Sequence, residues 1–256
     1  MKILVIAGHG AGDCGAVGKG GFREADLTRE LADYTASALN TITDTLLYDV
    51  NRNCYRDIKN NANGAKELFK TVDFVLELHL NSHANKTAQG VEVLCKRDSV
   101  FSRTLAEKVS NCGFSNRGIK LRKDLLNMNY CDTVGKPYAL LECGFITNYH
   151  DISVFKKSQT KIAQAIAQTF KVCYNLEEKK KTNSKIYRVQ VGAFARKENA
   201  EKLKKQLLAK DFNCFITDKE DGFYHVQCGA FESETNAINY RNQIIKAGFD
   251  AFVKGF

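Results

Sequence analysis

The pattern Tyr187-Arg188-Val189-Gln190-Val191-Gly192-Ala193-Phe194 returns almost unchanged as Tyr224-His225-Val226-Gln227-Cys228-Gly229-Ala230-Phe231. A chain that repeats itself this way is building one supersecondary unit twice. Each copy alternates apolar and polar residues with period two, as a half-buried strand does. Helical spacing follows each, carried by Ala200, Leu203, Leu207 and Leu208, then by Ala237, Tyr240, Ile244 and Ile245. Short apolar stretches, Cys214–Thr217 and Ala251–Val253, close the two halves. The expected order over residues 186–256 is therefore β-α-β-β-α-β, a small ferredoxin-like sheet with two helices on one face.

A charged and polar stretch without periodicity precedes the repeat and reads as a linker over 176–185. Residues 1–175 are organised differently. Strands are expected at Ile3–Ala7, Thr45–Tyr48, Phe74–Leu80, Val91–Leu94 and Tyr138–Cys143. Helices are expected at Glu24–Leu39, about Ala62–Phe69, at Arg103–Cys112 and at Ile162–Tyr174. Such alternation predicts an α/β domain, a mostly parallel sheet with helices on both faces.

Composition excludes some classes. With 44% hydrophobic and 26% charged residues the chain is neither disordered nor fibrous. No apolar run approaches the roughly 20 residues of a membrane helix. The apolar run after Met1 is too short for a signal peptide, so synthesis in the cytoplasm without a leader is expected. The nine cysteines show no C-x-x-C spacing and read as free thiols. The net charge of +9 suits any polyanion and does not choose among them.

Ligand sites in α/β sheets collect at the carboxyl ends of strands. His9, in a glycine loop, lies just past the first strand, and His79 and Glu142 lie near the ends of two others. Glu24 opens the helix to which the glycine loop leads. Taken singly, each has a plain structural reading. Gly8-His9-Gly10 resembles a dinucleotide-binding turn, but position 13 is Asp rather than Gly. His79 fits a satisfied core histidine, and Glu24 a carboxylate at a helix N-terminus. Glu142 resists such a reading, because a carboxylate inside an apolar strand is costly without a partner. Together, two imidazoles and a carboxylate suit a catalytic metal with an open position, and a further Glu suits a proton shuttle.

Four motifs, in order, resemble those of the zinc-dependent N-acetylmuramoyl-L-alanine amidases of the amidase-3 type. They are Ala7-Gly8-His9-Gly10-Ala11-Gly12-Asp13-Cys14-Gly15-Ala16, Phe22-Arg23-Glu24-Ala25-Asp26-Leu27, Glu77-Leu78-His79-Leu80-Asn81-Ser82 and Leu141-Glu142-Cys143-Gly144-Phe145-Ile146-Thr147-Asn148. The resemblance spans residues 1–175. It implies Zn²⁺ held by His9, Glu24 and His79, with Glu142 as the catalytic base. It also implies hydrolysis of the amide between N-acetylmuramic acid and the L-alanine of the peptidoglycan stem peptide. The sequence departs from the family pattern at Ala7, Cys14 and Glu77. Glu77 stands where a small residue is common, two positions before His79 and so on the same strand face. It is expected to fix the His79 tautomer from outside the metal, the alternative being a ligand. His83 and His150 are expected at the surface or the pocket rim.

The C-terminal repeat is similar to SPOR domains, which bind glycan strands stripped of their peptides. On that reading Arg188, Gln190, His225 and Gln227 lie on the open sheet face, available to sugar. The expected partner is peptidoglycan, with no nucleic acid and no membrane span. The expected setting is the cell wall after release, as a phage endolysin or a bacterial autolysin. The competing readings are a zinc peptidase or carboxypeptidase on wall peptides, a catalytically dead wall-binding protein and, from another class, an RNA-binding protein. RNA-binding sheets stack bases on central-strand aromatics, which this repeat lacks.

Overall fold

The computed structural model describes residues 1–18, 20–179, 186–217, 219, 221–231 and 234–255. The chain divides into two compact units, Met1–Lys179 and Lys180–Phe256.

The first unit is built on a six-stranded sheet. Its strands are β1 (Lys2–Ala7), β2 (Asp44–Leu47), β3 (Phe74–Asn81), β4 (Val91–Cys95), β5 (Asn116–Leu121) and β6 (Tyr138–Phe145), in the order β2-β1-β3-β6-β4-β5. The first four in that order run parallel, while β4 is antiparallel to β6 and parallel to β5. The near-continuous apolar runs of β1, β3 and β6 suit strands covered on both faces.

Helices α1 (Glu24–Asn40), α4 (Val100–Ser110) and α6 (Tyr149–Cys173) belong to the larger core, with Ile3, Val5, Leu76, Leu78, Leu141 and Phe170. The opposite face carries Leu4, Ile6 and Val75 against the shorter helices α2 (Cys54–Asn60), α3 (Ala65–Lys70) and α5 (Leu126–Thr133). Because side chains alternate along a strand, Glu77 and His79 share this second, less covered face with Val75.

Several boundaries differ from expectation. The helix expected near 62–69 is α3, and α2 before it was not expected; Asn61, Asn63 and Gly64, in left-handed backbone, separate the two. Neither β5 nor α5 was expected, since one is largely exposed and the other is rich in Asn. Helix α6 begins at Tyr149 rather than Ile162, with the Asn148 side chain accepting from the Asp151 amide. The expected linker is folded at its start. Leu176 packs on the core, and Lys179 donates through its side chain to Asp44 and through its amide to the Thr41 carbonyl. Its remainder, 180–185, lies outside the described residues.

The second unit is a four-stranded antiparallel sheet of order β10-β7-β9-β8. Its strands are β7 (Tyr187–Phe194), β8 (Phe215–Ile216), β9 (Tyr224–Phe231) and β10 (Phe252–Gly255), with helices α7 (Lys197–Leu208) and α8 (Glu234–Lys246). Val189, Val191, Val226 and Cys228 form its core with Leu207 and Ile244 of the helices. Among the described residues, no helix is long and apolar enough to cross a membrane.

Candidate metal centre and its cleft

The loop from β1 to α1 folds His9 back over the sheet. His9 itself adopts a left-handed backbone, φ 68°, a conformation that costs an L-residue roughly 1–2 kcal/mol. Two glycines make the approach possible. A Cβ on Gly8 would stand 2.5 Å from the His79 ring, and one on Gly15 2.5 Å from the His9 ring.

His9 Nε2 lies 3.1 Å from Glu24 Oε2, and His79 Nδ1 lies 2.8 Å from Glu24 Oε1. One nitrogen of each ring and one Glu24 oxygen fall within 4.8 Å of one another. The outer nitrogen of each ring also meets a carboxylate. His9 Nδ1 is 3.1 Å from Asp13, which Asn53 and the Gly15 amide hold in turn. His79 Nε2 is 3.0 Å from Glu77, to which Asn127 and the Tyr138 hydroxyl donate at 2.9 and 2.6 Å. Glu77 therefore stands on the side of His79 away from Glu24.

Glu24 opens α1 and is buried. Its oxygens also accept from the amides of Ala16 and Leu80. Burial works against its charge, but the hydrogen bonds and charges of His79 and His9 outweigh that and hold the carboxyl far below the usual carboxylate range. The same contacts raise His9 and His79 against the effect of their burial.

Glu142 pairs in register with His79 across β3/β6 and with Glu92 across β4/β6. Burial pushes its carboxyl up to about 7; His79 opposes this, while Glu24, Glu92 and Glu77 add to it. Glu142 Oε2 is buried without a hydrogen-bond partner among the described residues. Glu92 accepts from Asn81 and Arg117.

His9, Glu24, Glu77, His79 and Glu142 line a cleft of about 550 Å³ that also takes in Tyr55, Ser82 and Arg122. The donor set fits a divalent cation of the zinc type: two imidazole nitrogens, one anionic oxygen and room for water. Each ring is oriented from behind by a carboxylate, the arrangement common to metal-bound histidines. Sequence reading missed Asp13, Asn53, Asn127 and Tyr138. Asp13 stands inside the first motif, and only its failure to be glycine had been noted. His83 and His150 are exposed; His83 accepts from the Asn85 amide, and His150 Nε2 lies 3.1 Å from the Gly113 carbonyl.

In the second unit Gln190 and Gln227 pair in register, on the face opposite the apolar core, but they are not open. Gln190, His225 and Gln227 are buried, at 4%, 7% and 4% exposure, which corrects their expected availability. They stand in the two central strands, walled by in-register side chains of the edge strands. Phe252 is opposite Gln190 and Phe215 opposite Gln227, each 49% exposed. His225 is further held by Asp221 at 2.9 Å. The accessible part of this row is aromatic, which the reading of the repeat had not found. Strands as short as β8 show no alternation to read.

Comparison with known proteins shows the family. Residues 3–171 match the N-acetylmuramoyl-L-alanine amidase family, and residues 156–218 and 220–255 match the SPOR domain. The sporulation-specific N-acetylmuramoyl-L-alanine amidase of Bacillus subtilis (strain 168) is 32% identical over 231 residues, covering 86% of each chain. The probable autolysin PH of Staphylococcus aureus is 30% identical over 65% of this chain and 37% of its own length. The N-acetylmuramoyl-L-alanine amidase structure from Clostridium difficile 630 superposes with a TM-score of 0.58 at 22% identity, over 68% of this chain and 96% of that one.

Proposed function

The chain belongs to the N-acetylmuramoyl-L-alanine amidase family, and from that premise we propose that His9, Glu24 and His79 hold a catalytic Zn²⁺ while Glu142 moves the proton. The reaction is hydrolysis of the amide between N-acetylmuramic acid and L-alanine in peptidoglycan. The observation that carries the metal assignment is the convergence of three ligand atoms within 4.8 Å.

Bound there, Zn²⁺ supplies Lewis acidity toward the scissile carbonyl and the attacking water. The rest falls to the chain. Glu24 brings the fixed negative charge, and Asp13 and Glu77 lock the tautomers of His9 and His79. Glu142, titrating near neutrality, takes the proton of the water and returns it to the leaving amine. Burial on the cleft floor keeps that carboxyl out of bulk solvent and its affinity for protons high.

The SPOR unit binds peptide-free glycan through the row Phe252-Gln190-Gln227-Phe215. The two exposed rings offer apolar contact to sugar faces, with the buried glutamines lying between them. Clearing of purified walls by wild type, Glu142→Ala and chelated protein tests the catalytic part. Full clearing by either altered sample sinks the mechanism.

A further inference from the structure

Two cysteines meet across the β8/β9 pair. Phe215 pairs with Gln227 and Ile216 with Val226, so one step further sets Cys214 opposite Cys228. The Thr217 amide donates to the His225 carbonyl, which makes that pair a hydrogen-bonded one. Hydrogen-bonded and non-hydrogen-bonded pairs alternate along antiparallel strands. Ile216/Val226 and Cys214/Cys228 are therefore of the non-hydrogen-bonded kind. In that kind the α-carbons are about 4.5 Å apart and the side chains closest. This falls within the roughly 4.4–6.8 Å that a disulfide spans. The register makes the two side chains cross-strand neighbours, and Cys214 donates to the Lys204 carbonyl at 3.7 Å. Cys228 is fully buried and Cys214 half-buried.

We propose that Cys214 and Cys228 form a covalent modification site, a dithiol that closes into a disulfide when it meets an oxidised low-molecular-weight thiol. The Cys214 sulfur, as thiolate, attacks one sulfur of the small disulfide, which breaks and releases one small thiol. The Cys228 sulfur gives up its proton and attacks Cys214 in the resulting mixed disulfide, expelling the second small thiol. The protein loses two electrons and two protons, and the small disulfide gains them. Burial raises both thiols above their ordinary range, Cys228 to about 12, so closure is slow and begins at the more open Cys214. Because β8 is a two-residue edge strand, the bridge fastens it to central β9. With it the bridge fastens Phe215, one end of the aromatic row.

The full-length protein, incubated with oxidised glutathione at mildly alkaline pH, is denatured, alkylated and digested with trypsin, which separates the two cysteines at Lys219. The expected product is one cross-linked peptide pair, two hydrogens lighter than its parts and lost on reduction. In Cys214→Ser and Cys228→Ser the pair is absent, while alkylation of the other cysteines is unchanged. Oxidation also raises the melting of the SPOR unit by several degrees in wild type and in neither variant. Recovery of Cys214 as a stable glutathione adduct with Cys228 alkylated, or linkage of either to a third cysteine, overturns the proposal.

Discussion

His79 and Glu142 stand opposite one another in register on the parallel strands β3 and β6, so the sheet itself carries an imidazole and an acid to the same face. Replacing the acid by its neutral isostere should then separate chemistry from folding. Glu142→Gln is expected to lower kcat by about 10²–10⁴, with metal content unchanged by elemental analysis.

The same substitution should stabilise the metal-free protein above neutral pH. The folded carboxyl titrates near 7 and the unfolded one near 4.5, so the folded state binds the extra proton between those values. Stability is therefore lost as pH rises through that window, by up to about 3 kcal/mol. Melting of wild type and Glu142→Gln at pH 4 and pH 8, with chelator present, should diverge only at the higher pH. Equal melting at both would show that this carboxyl is not protonated in the fold.

Catalysis runs in the opposite sense. As a base Glu142 must be ionised, so kcat/KM rises with pH on an acid limb at or below about 7, since a bound cation draws the carboxyl down. In Glu142→Gln the residual rate should show no such limb.

Glu77 and Asp13 are placed to orient the two rings rather than to bind the ion. Glu77→Gln is expected to weaken Zn²⁺ binding by about 10–100-fold in a chelator competition. Tyr138→Phe, which removes one of the donors to Glu77, should weaken it less. His79→Ala should abolish binding. If Glu77→Gln also abolishes it, Glu77 is a ligand.

Phe215→Ala or Phe252→Ala should reduce retention on peptide-free glycan by about tenfold, equivalent to roughly 1.4 kcal/mol. Cleavage of a soluble muramyl peptide should not change. A fall in both assays would mean the row is not a separate binding face.

How much of this was readable beforehand follows from where each residue sits. His9, His79 and Glu142 interrupt or follow apolar strands, and a polar side chain in such a place announces itself. Glu24 is marked by the glycine loop before it. Their outer partners carry no such mark. Asn127 and Tyr138 reach Glu77 only because α5 and the start of β6 come together in space, and α5 has no periodicity to betray it. The open face of the SPOR sheet was assigned from alternation alone, which gives the face but not the height of neighbouring side chains. Hence Gln190 and Gln227 were found on the expected side yet buried, and the exposed phenylalanines beside them went unread.

Glu24 begins a helix that packs behind the sheet, whereas His79 rises from its front and His9 hangs from the loop that joins the two layers. An ion gripped by all three is thus a rivet through the rim of the domain. Stripping it should loosen the glycine loop first and leave the layered body standing.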